Sequence, residues 1–289
     1  MRKELFRFLK RDSFFLIASL LSYTVSAITT RFQQGRFDSW AFFAGILIFL
    51  SGYALKSLLD YLTSNRINPY ARLSYDKKDK KYQLFLITIV LFAAFFTVVY
   101  YLLQKNLLIG VNLIYISILL FLFLMPLSRF GKIFFHSYDV LLEALIVSPL
   151  LFFLGSGLQS HNPGTKDLLL ALPLFFFYIG TAIAYQFPDY DKDSKAAATS
   201  LLGQIGWENG IKMHNITLLL AWLSLMLYLI VTQTFALYLP ILLISGISLF
   251  EIYLLNRISM GMKPNWGLLR TTAVLQFFSI SYLLVLPML

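Results

Sequence analysis

Long apolar stretches recur along almost the whole of this sequence, and each is close to the length that crosses a lipid bilayer. About twenty predominantly apolar residues in a helix span the hydrocarbon core. Hydrophobic residues make up 58% of the 289 residues and charged residues only 13%, a composition that excludes an ordinary soluble domain. Nine such stretches occur, at residues 14–30, 38–57, 83–103, 107–126, 138–156, 167–187, 215–233, 236–255 and 268–286. We therefore predict an all-α membrane protein with nine transmembrane helices, forming a single domain over residues 1–289.

Lysine and arginine are distributed unevenly between the loops, which predicts how the helices are oriented. Basic residues accumulate in the cytoplasmic loops of membrane proteins. With the N-terminus in the cytoplasm, only four of the 24 lysines and arginines fall outside, namely Arg31, Arg36, Lys105 and Lys166. We therefore expect an integral protein of a bacterial or archaeal cell membrane, with the loops after helices two, four, six and eight in the cytoplasm.

Several common functions are excluded or left without support by the same sequence. The net charge is +10, but the basic residues are spread over many loops and not gathered into one groove, so nucleic acid is not an expected partner. Cysteine is absent, which excludes disulfides and thiol chemistry. The nucleotide-binding, hydrolase and zinc-protease signatures G-x-x-x-x-G-K-[ST], G-x-S-x-G and H-E-x-x-H do not occur.

The densest group of carboxylates follows the sixth apolar stretch, at Asp189, Asp191 and Asp193. Pro188 is tolerated in the first turn of a helix, so the spacing predicts a helix start here with Asp189 and Asp193 on one face. Two carboxylates on one face favour a hard divalent cation such as Mg²⁺. Acidic residues also stabilise helix N-termini without any metal, so both interpretations remain open.

The loop after the second apolar stretch carries a related set of polar residues. It begins with Asp60-Tyr61, a dipeptide that recurs as Asp189-Tyr190, and ends in a turn at Asn68-Pro69. The two loops lie four helices apart, which suggests two equivalent halves facing one cavity. Where the second loop has Asp193, four residues after its first aspartate, this loop has Ser64 and then Asn65, which are neutral oxygen donors.

Three further candidates lie around the start of the fifth apolar stretch. Arg129 and Lys132 are suited to binding phosphate, although cytoplasmic loops are rich in basic residues for topological reasons alone. Glu143 lies at the start of an apolar span, where a carboxylate is costly unless it is paired or faces water. It is therefore a functional candidate, with stabilisation of a helix N-terminus as the alternative.

The remaining polar residues of the spans have structural interpretations. Lys56 and Glu251 lie close enough to cytoplasmic helix ends for their charged groups to reach the interface. Asn112 and Gln276 are suited to hydrogen bonds between helices. We expect the three histidines, His136, His161 and His214, in separate loops, and their spacing does not predict a zinc site.

Three patches of this sequence resemble the UbiA superfamily of intramembrane prenyltransferases. The strongest covers residues 185–206, where Phe187-Pro188-Asp189-Tyr190-Asp191-Lys192-Asp193 is similar to the second aspartate-rich motif of that family. The second covers residues 124–155 and retains Pro126, Leu127, Arg129, Lys132, Glu143 and Ser148-Pro149. The third is Arg66-Ile67-Asn68-Pro69, which resembles the end of the first aspartate-rich motif.

The resemblance implies a Mg²⁺-dependent transferase that moves a prenyl group from a polyprenyl diphosphate to an aromatic or other lipophilic acceptor within the membrane. It also implies nine transmembrane helices with both aspartate-rich loops in the cytoplasm. By this resemblance the catalytic residues are Asp60, Asp189 and Asp193, which would hold Mg²⁺ together with Asn65. The substrate-binding residues would be Asn65, Arg66, Asn68, Arg72, Arg129, Lys132, Glu143 and Lys195.

The first motif departs from the family pattern, which leaves alternatives open. Alignment on Asn68-Pro69 places Ser57, Leu58, Tyr61 and Asn65 at positions that are polar, mostly aspartate, in the family. One alternative is therefore a catalytically inactive UbiA-like protein that binds a lipid or quinone or supports a complex. Another is a transporter that uses Lys56 and Glu143 as a coupling pair.

Overall fold

The computed structural model describes the chain over residues 2–64, 76–107, 110–125, 138–160, 163–190 and 200–288. These residues form helices joined by short turns, and no strand occurs among them. The ten α-helices of the described residues are α1 (Arg2–Gln34), α2 (Ser39–Ser64), α3 (Asp76–Gln104), α4 (Gly110–Leu124), α5 (Tyr138–Ser160), α6 (Thr165–Gln186), α7 (Leu201–Ile205), α8 (Trp207–Thr232), α9 (Ser245–Ser259) and α10 (Trp266–Val285). Short 3₁₀ turns follow α6 (Phe187–Asp189), precede α9 (Leu239–Ile244) and follow α10 (Leu286–Met288).

Eight helical segments of the described residues are long and apolar enough to cross a membrane. They are Ser13–Gln34, Ser39–Leu58, Phe85–Gln104, Tyr138–Ser160, Thr165–Asp189, Trp207–Thr232, Leu239–Ser259 and Trp266–Met288. The remaining predicted span, at 107–126, coincides with α4, which is apolar but 15 residues long as described. The prediction of an all-helical fold is confirmed for the described residues, and eight of the nine predicted spans are helices long and apolar enough to cross a membrane.

Helices α1, α5 and α6 form the centre of the bundle. Helix α1 packs along α5, α6 packs along α8, and α10 lies against both α6 and α1. Two thirds of the residues in the α5 and α6 spans are buried, compared with 12% in the α3 span. Helix α3 makes its main contact with α2, so most of its apolar surface faces outwards, as expected for a helix in lipid.

Small residues allow the central helices to approach closely. A side chain at Gly155 of α5 would lie 2.8 Å from the backbone oxygen of Tyr23 in α1. At the neighbouring contact, the Ser26 hydroxyl donates a hydrogen bond to the carbonyl oxygen of Phe152. Helix association in membranes depends on such small residues and on hydrogen bonds between helices. The α1–α5 contact therefore fixes the middle of the bundle.

Helix α5 contains one π-helical turn, at Ile146–Leu150. Pro149 lies inside it and has no backbone N–H to donate. The Leu151 N–H bonds to the carbonyl oxygens of Ile146 and Ser148, so the wider turn keeps the helix continuous past the proline. This turn separates the half of α5 that carries Asp139 and Glu143 from the half that packs on α1.

Candidate functional site

The described part of the aspartate-rich stretch is a single turn at the end of α6. The chain continues from Gln186 into the 3₁₀ turn Phe187–Asp189, with Pro188 at its second position. The helix start predicted at Pro188 is thus one 3₁₀ turn followed by Tyr190, and Asp193 lies outside the described residues. The Asp189 side chain is half exposed, so its carboxylate is accessible at this end of the bundle.

Arg270 of α10 is the basic residue that meets Asp189. Its Nη2 atom donates to the Asp189 Oδ2 atom at 3.2 Å and to the Tyr185 carbonyl oxygen at 3.0 Å. Its guanidinium also lies over the Tyr185 ring, 5.4 Å from the ring centre. Arg270 therefore ties the end of α6 to α10 and places a positive charge beside the carboxylate.

A column of aromatic rings extends from this ion pair into the bundle. Tyr185 stacks on Phe14 with ring centres 5.5 Å apart, and Phe14 stacks on Tyr178 at 5.4 Å. Phe277 meets Phe14 edge-on at 5.7 Å. Because Phe14, Tyr178 and Phe277 are all buried, the Asp189–Arg270 pair lies at the exposed end of a packed, apolar column of rings, and we call this end the mouth of the aromatic column.

The start of α5 supplies two carboxylates to the same region. The Tyr178 hydroxyl donates to the Glu143 Oε2 atom at 2.9 Å. The Gln186 Nε2 atom donates to the Asp139 Oδ1 atom at 3.4 Å, and the Gln186 Oε1 atom accepts the Leu202 N–H. Glu143 is thus paired with a buried tyrosine of the aromatic column, as expected for a carboxylate at membrane depth.

Lys56 of α2 reaches the column from the other side. Its Nζ atom lies 5.6 Å from the centre of the Phe15 ring, and Phe15 contacts both Tyr53 and Tyr178. Lys56 therefore contacts Phe15, and Glu143 contacts Tyr178, two aromatic residues that touch each other edge-on. The contact of the Lys56 ammonium with the Phe15 ring is of the cation–π type, and the predicted extension of the Lys56 side chain to the interface stays a prediction.

The other predicted site residues cannot be placed from the described residues. Asp60 belongs to the last turns of α2, but its side chain is outside the description. The residues outside the described ranges are Asn65, Arg66, Asn68, Arg72, Arg129, Lys132, Asp193 and Lys195. Of the predicted set, Asp189 and Glu143 are both linked to the aromatic column, Asp189 through Arg270 at Tyr185 and Glu143 directly at Tyr178. Within the described residues, no group of three histidine, aspartate or glutamate side chains is arranged to hold a metal ion.

A buried pair of ionisable residues lies between α8 and α9, and it corrects two predictions. His214 is inside α8 and fully buried, not in a loop, and Glu251 is buried instead of extending to the interface. The His214 Nε2 and Glu251 Oε2 atoms are 3.4 Å apart. Helix α8 begins at Trp207, well before the apolar stretch that starts at residue 215, so hydropathy placed His214 outside the helix.

The His214 ring also meets Phe187 edge-on, with ring centres 6.5 Å apart. Phe187 packs in the same manner against Trp207 at 5.0 Å. The buried pair therefore lies next to Phe187, in the turn that carries Asp189. No spacing pattern in the sequence joins His214 to Glu251, because they belong to different helices.

Comparisons with known proteins give no match for this sequence, either among protein-family models or among curated proteins.

Proposed function

We propose that this chain is a membrane prenyltransferase of the UbiA type, which transfers a prenyl group from a polyprenyl diphosphate to an aromatic or other lipophilic acceptor. The observation that carries the proposal is the position of Asp189, beside Arg270 at the mouth of the aromatic column. Asp189 is also the first aspartate of the segment that most resembles the family. A diphosphate would be held at the charged mouth while its isoprenoid chain enters the aromatic interior.

The proposal includes nine transmembrane helices, with α4 and the residues on either side of it as the fourth. The N-terminus and both aspartate-rich loops would face the cytoplasm, in the cell membrane of a bacterium or archaeon. This orientation rests on the distribution of lysine and arginine. It would place Asp189 and Arg270 on the cytoplasmic side of the membrane.

The donor set suits Mg²⁺, because carboxylate oxygens are its preferred protein ligands. Asp189 presents such a carboxylate, half exposed, and Asp60, Asn65 and Asp193 would complete the sites. When bound, Mg²⁺ would neutralise the charge that develops on the departing diphosphate. Arg270 already donates to the Asp189 carboxylate, so its guanidinium is positioned to exchange this contact for one with a diphosphate oxygen.

The aromatic column would have two roles in the reaction. Loss of diphosphate leaves an allylic cation, and the faces of Phe14 and Tyr178 attract cations. The rings also exclude water, since Phe14, Tyr178 and Phe277 are buried, which protects the cation from hydrolysis. Glu143 would hold the Tyr178 ring in place through its hydroxyl, as it does in this structure.

One observation favours a second candidate function. The Arg270 guanidinium already pairs with Asp189, and the first motif has Leu58, Tyr61 and Asn65 at positions that hold aspartate in the family. A protein with these features would bind a lipid or quinone in the aromatic interior, or support a complex, without transferring a prenyl group. Dependence on Mg²⁺ separates the two candidates.

The test is binding of a long-chain prenyl diphosphate to the purified protein, with and without Mg²⁺. For the transferase we expect Mg²⁺ to strengthen binding in the wild type and to have no effect in Asp189→Asn. The matched control is Asp38→Asn, since Asp38 is an exposed aspartate at the opposite end of the bundle that caps α2 through the Ala41 N–H. Binding that is indifferent to Mg²⁺ and to Asp189→Asn would exclude the transferase and leave the lipid-binding candidate.

Arg270→Gln provides a second variant for the same assay. Without Mg²⁺, Arg270 is the cation nearest to Asp189 among the described residues, so the variant should bind the diphosphate less tightly. In Arg270→Gln the Asp189 carboxylate has lost its contact with Arg270 and is available to Mg²⁺. With Mg²⁺ present, the difference in affinity between this variant and the wild type should therefore diminish. We therefore expect the ratio of affinities with and without Mg²⁺ to rise in Arg270→Gln. An unchanged ratio would show that Arg270 has no part in the site.

A further inference from the structure

Phe187 anchors the turn that carries Asp189, and it lies in a shallow notch on α8. The residue is only 1% exposed, and its ring meets the rings of Trp207 and His214 edge-on, with ring centres 5.0 Å and 6.5 Å away. A Cβ atom at Gly210 would lie 3.7 Å from the Phe187 Cε1 atom, so Gly210 faces the same ring. Positions three and four residues apart share one face of a helix. Trp207, Gly210 and His214 therefore form one surface, which we call the Phe187 notch.

Both ring nitrogens of His214 lie close to oxygen atoms of neighbouring side chains, which restricts the orientation of its ring. The Nε2 atom is 3.4 Å from the Glu251 Oε2 atom, and the Nδ1 atom is 3.3 Å from the Asn215 Oδ1 atom. His214 and Glu251 are both fully buried. Burying an ionisable pair is costly, and neither residue belongs to the predicted site. The pair holds one wall of the Phe187 notch in a fixed orientation.

Phe187 and Asp189 are the first and last residues of one 3₁₀ turn. Pro188 lies between them, and its ring fixes its φ angle, so the three residues move largely as a unit. The Asp189 carboxylate accepts a hydrogen bond from Arg270 of α10 at 3.2 Å, whereas Phe187 packs on α8. The distance between Asp189 and Arg270 therefore depends on how Phe187 is seated in its notch.

We propose that His214 and Glu251 are positioning residues, which hold the Asp189 carboxylate in place through the Phe187 ring. The proposal rests on the proposed prenyltransferase function only for what Asp189 binds. Binding groups have to be held within about 0.5 Å of their productive positions. An edge-on pair of rings corresponds to roughly two- to tenfold in an equilibrium constant. Loss of the His214 ring should therefore weaken the seating of the turn by that factor.

Three variants separate positioning from stability. His214→Leu/Glu251→Leu removes both buried ionisable groups together, which limits the loss of stability, but it also removes the ring that meets Phe187. Glu251→Gln keeps the His214 ring and a polar neighbour of the same shape, so it should leave the turn in place. Phe187→Leu removes the same ring contact from the other partner and should behave like the double leucine variant. It therefore tests the contact even where the double variant does not fold.

The first test measures the position of the turn by double electron–electron resonance between nitroxide labels on the full chain, which has no cysteine of its own. Labels at Lys166→Cys and Asp189→Cys lie at the two ends of the α6 span, roughly 35 Å apart. Asp189→Cys removes the contact with Arg270 in every sample, so differences between backgrounds report the notch. We expect one narrow distance with the notch intact and in Glu251→Gln, and a broader or shifted distribution in His214→Leu/Glu251→Leu. An unchanged distribution in that double variant would overturn the proposal.

Trp222→Phe is the matched control, because it perturbs the same two helices away from the notch. The Trp222 Nε1 atom of α8 donates to the Ser248 Oγ atom of α9 at 2.7 Å, and the variant removes this hydrogen bond. It should leave the label-to-label distance unchanged. An effect equal to that of the double leucine variant would show that general loosening of α8 and α9 moves Asp189, and it would refute a specific role of the notch.

The second test measures the consequence for the site, in proteins that keep Asp189. The gain in affinity for a long-chain prenyl diphosphate on adding Mg²⁺ should be roughly two- to tenfold smaller in His214→Leu/Glu251→Leu than in the wild type. Glu251→Gln should retain the wild-type gain, because it keeps the His214 ring. A full gain in the double leucine variant would contradict the proposal.

The two tests distinguish failure of this proposal from failure of the proposed function. If Mg²⁺ does not strengthen binding in the wild type, the transferase function is excluded, and the label-to-label distances alone decide whether the notch positions Asp189. If the distances do not change in the double leucine variant, the positioning role is excluded whether or not the protein binds a prenyl diphosphate.

Discussion

Replacing Gly157 by alanine should weaken the contact between α4 and α5, because the absence of a side chain at Gly157 leaves room for the buried Asn112. Asn112 of α4 is fully buried, and its Nδ2 atom donates to the Gly157 carbonyl oxygen at 2.9 Å and to the Leu107 carbonyl oxygen at 3.2 Å. A Cβ atom at position 157 would lie 1.9 Å from the Asn112 Oδ1 atom. The amide must therefore move away from α5.

The size of the effect follows from these distances. Ordinary van der Waals contact begins at 3.4 Å, so the Asn112 side chain has to shift by about 1.5 Å, the difference from 1.9 Å. Such a shift breaks the hydrogen bond to Gly157 and strains the one to Leu107. Hydrogen bonds between membrane helices contribute about 0.6 kcal/mol on average and up to about 1.7 kcal/mol. We expect Gly157→Ala to lower the free energy of unfolding by about 1–3 kcal/mol.

The assay is unfolding in mixed micelles of increasing SDS mole fraction, followed by tryptophan fluorescence. Gly246→Ala is the matched control, because a Cβ atom at this exposed position of α9 meets no atom within 4 Å. Alanine there should be neutral or stabilising by up to about 1 kcal/mol. In an Asn112→Ala background the clash is absent, so Gly157→Ala should cost little, which a double-mutant cycle measures directly. Equal costs of Gly157→Ala in the two backgrounds would refute the reasoning.

The same unfolding assay tests two further contacts. His214→Leu should destabilise the protein by about 3–5 kcal/mol, because it leaves the Glu251 carboxyl buried without its partner. The double variant His214→Leu/Glu251→Leu should recover much of this loss. Purely additive costs of the two substitutions would contradict the reasoning. Tyr178→Phe should cost no more than about 1.7 kcal/mol, since it removes the hydroxyl that bonds to Glu143 and keeps the ring. Tyr178→Ala should cost clearly more because the ring stacked on Phe14 is lost as well, and equal costs for the two variants would show that the stacking contributes nothing.

Much of the fold could be predicted from the sequence because a bilayer imposes one length scale on every apolar stretch. Eight predicted spans correspond to helices of bilayer length. The boundaries were less accurate where polar residues continue a helix. Helix α8 begins at Trp207, eight residues before the apolar stretch at 215, since its first two turns are polar but still helical. Hydropathy measures burial in lipid and not helix length.

The site could be predicted less fully because its contacts join distant parts of the chain. Asp189 and Glu143 stood out as carboxylates next to apolar stretches, and the structure places both around the aromatic column. Arg270 was counted only among the basic residues that set the orientation, since a positive charge near a helix end has that simpler explanation. Its position beside Asp189 depends on the contact of α10 with α6, which no local pattern records.

The π-helical turn at Ile146–Leu150 changes the helical phase of α5. On a helical wheel of 100° per residue, Glu143 and Gly157 are 14 residues apart and fall about 40° from each other, on one face. The turn accommodates roughly one extra residue, which rotates the second half by about 100° more. Glu143 accordingly meets Tyr178 of α6, whereas Gly157 meets Asn112 of α4. Deleting a single residue in this turn would exchange the partners of half a helix without altering any of the side chains that make the contacts.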